Sequence, residues 1–549
     1  MKTAACEGLE KRALLSGISQ ELLPAILTDS PLENATTGPS IAPATSSVAS
    51  TASITPTASA TNATPLAAEK ANTPIGIARG IYPGRVSWVY DPSATPWDGA
   101  TGHWWDDAGT NQNAVDRMMS RSLRALTGAA TDAAAWKALF RYYNRTHGRG
   151  KTGYLRGEKI ALKINLNNNT SYDDADNQLD ASPQAVLAMI RQLVYNAGVP
   201  QAKITLYDAV RSIPDRIYNK IHQEFPGLIF VDNTGTHGRT LARWKGDAIT
   251  YSVKNNCGTA IPTCVADATY LINMALLKGH ETAGITLTAK NHYGSIDDRE
   301  HTYIQSAAQP LGTYSPFVDL IGNKYLGGKT MLFMIDALYG TNDLRNAPAK
   351  WQQAPFKNRW TSSFFMSQDP VAIDSVGADF LLSEFGGKQA FMKNADNYLH
   401  EAALASSPPS QTAYHPNGDG MRLSSLGVHE HWNSSTQKQY SRNLGTGHGI
   451  ELFYAKEPAI RSPRYLTNGL RRSPSLPVTF TSDSTLPVRW AVTDGALPPG
   501  MTLNRATGVY SGTPTTAGTF QFTITVTNIF GSTSKTYTQI ITRRLTTKR

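Results

Sequence analysis

Between Lys159 and Asp232 three short apolar runs alternate with two stretches of helical spacing, and that order leaves little choice of architecture. Lys159–Asn165 (KIALKIN), Ile204–Asp208 (ITLYD) and Leu228–Asp232 (LIFVD) are short, continuously apolar and β-branched, which predicts buried strands. Ser182 and Pro183 provide a cap and a first residue for a helix to about Asn196, ended by Gly198. Ile213–Phe225 predicts a second helix. Strand–helix–strand–helix–strand with short connections implies parallel pairing and right-handed crossovers, hence an α/β body with a mostly parallel sheet. The same reading predicts strands at Gly84–Tyr90, Tyr270–Ala275, Ile285–Ala289 and Met331–Ile335. It predicts helices at Asn113–Leu126, Ala133–Tyr143 and Pro370–Phe385.

The body expected over 73–465 is flanked by two different kinds of chain. Thr36–Leu66 is almost entirely Ser, Thr, Ala, Pro and Asn, too poor in apolar surface to offset the entropy of ordering, so 1–72 reads as a disordered leader and tether. After about Ser473 short β-rich runs recur roughly every ten residues between Pro/Gly turns, the grammar of a β-sandwich over 466–545.

The net charge of +10 would suit a polyanion-binding protein, but its distribution argues otherwise. Arg461–Arg549 carries eleven Lys/Arg against two Asp/Glu, so the body is near neutral. The basic module either contacts an anionic surface or is simply a solvated basic face, and no specific nucleic-acid partner is expected. No apolar run is long enough to span a membrane. The stretch around Lys11–Leu15, with its apolar run broken, is either a degenerate export signal or a wrongly assigned start, yet the tether points to an exported chain in the periplasm, at the cell surface or secreted. Of three cysteines, Cys257 and Cys264 flank GTAIPT and either form a disulfide or remain two thiols.

Two stretches resemble known families. Leu497–Pro514 (LPPGMTLNRATGVYSGTP) resembles the immunoglobulin-like, cadherin-like module of bacterial surface and secreted proteins. Related cadherin-type domains bind calcium through several carboxylates; Asp483 and Asp494 are too few for that here. The body resembles the domain of unknown function 362 family through EKIALKINL (158–166), SPQAV (182–186), KITLYDAV (203–210), LLKGHETAGITLTAKNHYG (276–294), MLFMIDALYG (331–340) and SQDPVAIDSVGADFLL (367–382). Some members carry ferredoxin-like cysteine clusters, which this chain lacks, so no iron–sulfur cluster is expected. The resemblance implies a fold and leaves the reaction unnamed.

Ligands of open α/β sheets sit outside the carboxyl ends of the strands, so the polar residues following each expected strand are the site candidates. Lys278, His280, Lys290 and His292, from KGH and KNH, are the catalytic candidates. Asn165, Asp208, Asn291, Asp336 and Asp369 are ligand-binding candidates, with an N-cap as the plainer role of Asp369. His280, His292 and Asp336 are a candidate ligand set for a divalent metal. In GVHEHW, His429 and His431 stand two apart and would share one face of a strand, within reach of one metal, or else form a surface cluster. No GxSxG elbow, P-loop or dinucleotide glycine fingerprint occurs. Two readings stand: an exported protein whose Lys/His/Asp pocket binds a metal or anionic small molecule, with or without catalysis, or a non-catalytic surface protein that binds a ligand or glycan and adheres. An exposed aromatic patch, for instance at Trp104–Trp105, would favour the second.

Overall fold

The computed structural model describes residues 70–543 except 170, 256, 282, 298–309, 388 and 485. The leader up to residue 69, with Cys6 and the Lys11–Leu15 stretch, lies outside the described residues.

The body contains β1 (Ile75–Gly76), β2 (Arg85–Tyr90), β3 (Ile160–Lys163), β4 (Ile204–Tyr207), β5 (Ile229–Asp232), β6 (Thr240–Leu241), β7 (Trp244–Lys245) and β8 (Ile261–Pro262). It continues with β9 (Tyr270–His280), β10 (Gly284–Thr286), β11 (Thr330–Thr341), β12 (Ser363–Ser367), β13 (Val428–His429) and β14 (Glu451–Tyr454). Its helices are α1 (Gln112–Thr127), α2 (Asp132–Thr146), α3 (Pro183–Arg191), α4 (Asp215–His222), α5 (Thr263–Ala266), α6 (Thr288–Asn291), α7 (Pro316–Gly322), α8 (Pro370–Phe385) and α9 (Ala395–Ala403). The main sheet runs β14-β2-β12-β11-β9-β3-β4-β5-β6, with β10 folded back on β9. It is mixed. β14–β2 and each neighbouring pair from β11 to β6 are parallel. β12 is antiparallel to both neighbours, and β10 to β9.

Alternation of side chains along the strands divides the core between two faces. Leu162, Leu206, Ile272, Met274 and Met334 pack under α1–α4 with Met118, Trp136, Val186 and Ile217. Ala161, Leu271, Leu277, Phe333 and Ile335 pack on the other side with Phe317, Ile373, Phe380 and Leu399 of α7–α9. The expected caps are in place. Ser182 Oγ accepts from Ala185 N at 3.3 Å with Pro183 in the first turn, and α1 ends at Gly128 with φ 68°. Trp104 is a core residue, packed on Tyr339, which removes it from any exposed aromatic patch.

Two expectations are corrected. β9 and β11 outrun their apolar runs, so Lys278, His280 and Asp336 lie inside strands rather than after them. The strand expected at Ile285–Ala289 stops at Thr286, and α6 follows. Asp374 of α8 accepts from Thr288 N and Ala289 N, bending the chain into a helical turn. Cys257 and Cys264 are not bonded to each other: Ile261–Pro262 between them is extended and paired with β7.

The C-terminal region is all-β. Its strands are β15 (Ile460–Ser462), β16 (Gly469–Leu470), β17 (Ser475–Thr479), β18 (Thr481–Ser482), β19 (Arg489–Gly495), β20 (Met501–Leu503), β21 (Val509–Gly512), β22 (Gly518–Asn528) and β23 (Gly531–Thr542). A four-stranded sheet β16-β23-β22-β19 faces a three-stranded β17-β21-β20 over Phe480, Trp490, Tyr510, Phe522 and Tyr537. Gly500 holds the LPPG turn at φ 90°, where a Cβ would meet Thr513 O at 2.1 Å. Asp483 is taken up by Lys456 at 2.8 Å and Arg461 at 2.6 Å, so this carboxylate serves an ion-pair network. The β22–β23 hairpin tip reaches the body. Phe530 is 4% exposed beside Ala455, its ring 6.2 Å from that of Phe453, and Ile529 O accepts from Arg124 at 2.5 Å. Phe530→Ala is expected to cost about 3–5 kcal/mol and to split one calorimetric transition into two, body and module.

Candidate functional site

β3 leads through α3 to β4 on one side, whereas β9 leads through α6 and α7 to β11 on the other. The adjacent strands β3 and β9 therefore mark the point where the chain changes direction, and a crevice opens beyond their carboxyl ends. The first group there is Lys163, the last residue of β3. Its ammonium donates to Asp208 Oδ2 at 3.0 Å, to Asn291 Oδ1 at 3.3 Å and to Ile164 O. Asp208, just past β4, also accepts from Leu166 N at 3.3 Å and Val210 N at 3.2 Å. Asn291 on α6 ties the strands together. Its amide donates to Asn273 Oδ1 at 2.8 Å and Met274 O at 3.0 Å, and its oxygen accepts from Asn165 at 3.2 Å. α6 is held by Asp374, whose carboxylate accepts from Thr288 N at 2.8 Å, Thr288 Oγ1 at 2.6 Å, Ala289 N at 2.9 Å and Tyr398 Oη at 3.1 Å.

Lys163, Asn165, Asp208, Arg211, Lys290 and Asn291 line the cleft, closed on one side by Gly294. Its free space is about 20 Å³, room for about one water-sized group. Lys290 is buried, and among the described residues its ammonium makes no hydrogen bond or ion pair. Burial first, then the neighbouring Lys278, Arg211 and Lys163, lower its pKa to about 7. A Cβ on Gly294 would meet Lys163 Nζ at 2.6 Å and Asp208 Oδ1 at 3.0 Å. Gly294→Ala is therefore expected to displace the Lys163–Asp208 pair and cost about 1–3 kcal/mol in urea unfolding.

The structure brings Lys290, Asn165, Asp208 and Asn291 into one cleft and separates the other candidates from it. Lys278 donates to Leu179 O at 2.8 Å, and burial lowers its pKa to about 8, offset by Asp180 and Asp343. His280 ends β9, where Nδ1 accepts from Ala283 N at 3.1 Å within the β9–β10 hairpin. His292 faces Asn273 at 3.1 Å and the ring of Phe333, on the α7–α9 side of the sheet. Burial, then Lys163, lower its pKa to about 3, so it is a neutral imidazole. Asp336 alternates with Met334 and Leu338 and faces the α1–α4 side, accepting from Ser182 N at 3.2 Å. The metal set His280, His292 and Asp336 is thus not assembled: Asp336 and His292 lie on opposite faces of the sheet. Among the described residues the one group of three ligands close enough for a metal is Asp396, His429 and His431. Asp369 caps α8 through Val371 N at 3.1 Å and Ala372 N at 2.9 Å, and accepts from Arg79 N and Val428 N. It stitches the N-terminal strand to the body and stays out of the cleft.

Arg211 and Asn273 escaped the sequence reading. Asn273 had a signal, a lone amide inside the apolar run YLINMALL; Arg211 had none beyond its charge.

Residues 160–379 match the family model described as Domain of unknown function (DUF362), and residues 460–542 match Putative Ig domain. No curated protein matches the chain. A solved structure described as a putative alpha-galactosidase from Bacteroides fragilis is 27% identical, with 16% of this chain and 18% of that one covered and a TM-score of 0.14. Protocadherin Gamma B2 extracellular cadherin domains 3-6 is 14% identical over 16% of this chain and 22% of its own, TM-score 0.14. Drosophila N-cadherin EC1-3 is 15% identical over 16% and 35%, TM-score 0.15. The chain spans less than half the length of each, and overlaps this small carry no argument about the body. By these matches residues 160–379 are similar to the DUF362 family, of unknown function, and residues 460–542 to the putative Ig family.

Proposed function

We propose that the body binds a small oxyanion, or the anionic end of a larger molecule, in the cleft of Lys163, Arg211 and Lys290. The observation that carries this reading is the Lys290 ammonium, buried and without a hydrogen bond or ion pair among the described residues. An uncompensated buried cation is costly, and an anion offsets that cost. Asp208 is engaged by Lys163 and by two backbone amides, so among the described residues cations outnumber anions in the cleft. Asn165 supplies a polar contact at its rim. Room for about one water-sized group takes a single oxygen of a phosphate or carboxylate, with the rest of the head outside the cleft. An anion favours the charged form of Lys290, so binding takes up a proton and weakens as pH rises through about 7. The wider setting of the proposal is an exported chain whose basic C-terminal module meets an anionic surface.

Isothermal titration with inorganic phosphate and short carboxylates, at pH 6 and pH 8.5, tests the site. Saturable binding at one site, tighter at pH 6, supports it. Absence of binding at both pH values, or affinity independent of pH and unchanged in Lys290→Met, sinks it.

A further inference from the structure

We propose that Asp396, His429 and His431 form a binding site for a transition-metal ion, best matched to Zn²⁺, that staples the 428–432 segment to α9. The site lies outside the 160–379 family match and stands independently of the anion cleft. His429 ends β13 and His431 follows two residues on, which puts both rings on one side of the extended chain. His429 is fully buried, with His431 and Asp396 half-buried beside it. α9 brings Asp396 to the same place: one ligand atom from each of the three residues lies within 4.8 Å of the others. His431 Nε2 is 3.7 Å from Asp396 Oδ1, close to the roughly 3.4 Å between ligands of a tetrahedral zinc with bonds of about 2.0–2.1 Å.

The surroundings orient these ligands as metal sites do. His429 Nδ1 meets Ser375 Oγ at 2.8 Å, and His431 Nδ1 meets Asp379 Oδ1 at 2.6 Å, both partners being on α8. Each imidazole is thereby held by Nδ1 and presents Nε2. Asp379 is fixed in turn by Trp432 N at 3.0 Å and Tyr440 Oη at 2.8 Å, which gives a carboxylate–histidine–metal relay. Two imidazoles and one carboxylate suit Zn²⁺ or Co²⁺ and are poor ligands for Ca²⁺ or Mg²⁺, which take oxygen. β1 pairs with β13 at Ile75↔His429, so the ion would also secure the start of the body.

The test is titration of the full chain, stripped of metal, with Zn²⁺ by calorimetry and with Co²⁺ by visible absorption. One ion per chain, with the intense visible bands of tetrahedral Co²⁺, is expected. His431→Gln and Asp396→Asn should abolish both signals, and Asp379→Asn should weaken Zn²⁺ roughly 10–100-fold. Chelator should lower the Tm of the wild type and leave that of His431→Gln unchanged. A folded wild type that binds neither ion overturns the proposal, whatever the variants do. So does wild-type affinity in His431→Gln or Asp396→Asn.

Discussion

Lys290→Met should weaken anion binding about 30-fold or more while leaving the fold at least as stable. Removing one partner of a buried charge pair costs about 2–5 kcal/mol of binding, and the smaller figure already corresponds to roughly a 30-fold change. Stability should move the other way, because methionine removes a buried cation that no described group pairs and keeps most of its volume. The pH dependence sharpens the test. With its pKa lowered from 10.5 to about 7, Lys290 holds fewer protons in the folded than in the unfolded chain between those values, so it makes stability rise with pH across that window. In Lys290→Met the rise should flatten. Urea unfolding of both proteins from pH 6 to pH 10, alongside the phosphate titration, reads both effects. Equal phosphate affinity in the two proteins would remove Lys290 from the site.

Asp374→Ala should cost about 3–5 kcal/mol, the largest loss of stability expected from one side chain near the cleft. Its carboxylate serves two amides and two hydroxyls in a fully buried place, and alanine leaves all four without their acceptor. Asp374→Asn keeps one acceptor oxygen and should cost less. Burial raises this carboxyl from 3.8 to about 6, so the folded chain holds more protons than the unfolded one between those values, and the group makes stability fall as pH rises from about 4 to 6. The asparagine variant should lose that slope. A two-state urea series at pH 4.5 and 7 distinguishes the two. If Asp374→Ala unfolds at the wild-type midpoint, α6 is held by something else and Lys290 is not positioned from α8.

What could be read from the sequence follows from how each part is specified. β3, α3, β4 and α8 are specified locally, by an apolar run or by a cap such as Ser182 or Asp369. The full lengths of β9 and β11 were not legible, because Lys278, His280 and Asp336 look like the end of an apolar run although the backbone pairing continues through them. α6 was illegible for a different reason: one helical turn is set by a carboxylate 86 positions away, and periodicity carries no trace of it. The candidate residues split in the same way. Asp208 falls where strand ends predict, whereas Asn291 reaches the cleft from α6, and the opposite facing of Asp336 and His292 depends on the register of strands far apart in sequence. The His429–His431 spacing was visible, yet Asp396 and Asp379 come from two other helices.

The buried Phe530 has a mechanical consequence. A module joined by a loose linker would swing freely and shield the body from any load on the C-terminus. With the hairpin tip seated beside Ala455 and Phe453, and with Arg124 gripping Ile529 O, tension applied beyond residue 543 is delivered to the body core before the linker can stretch. Under load the ring of Phe530 is expected to leave its seat beside Ala455 and Phe453 before the sheet behind it is strained.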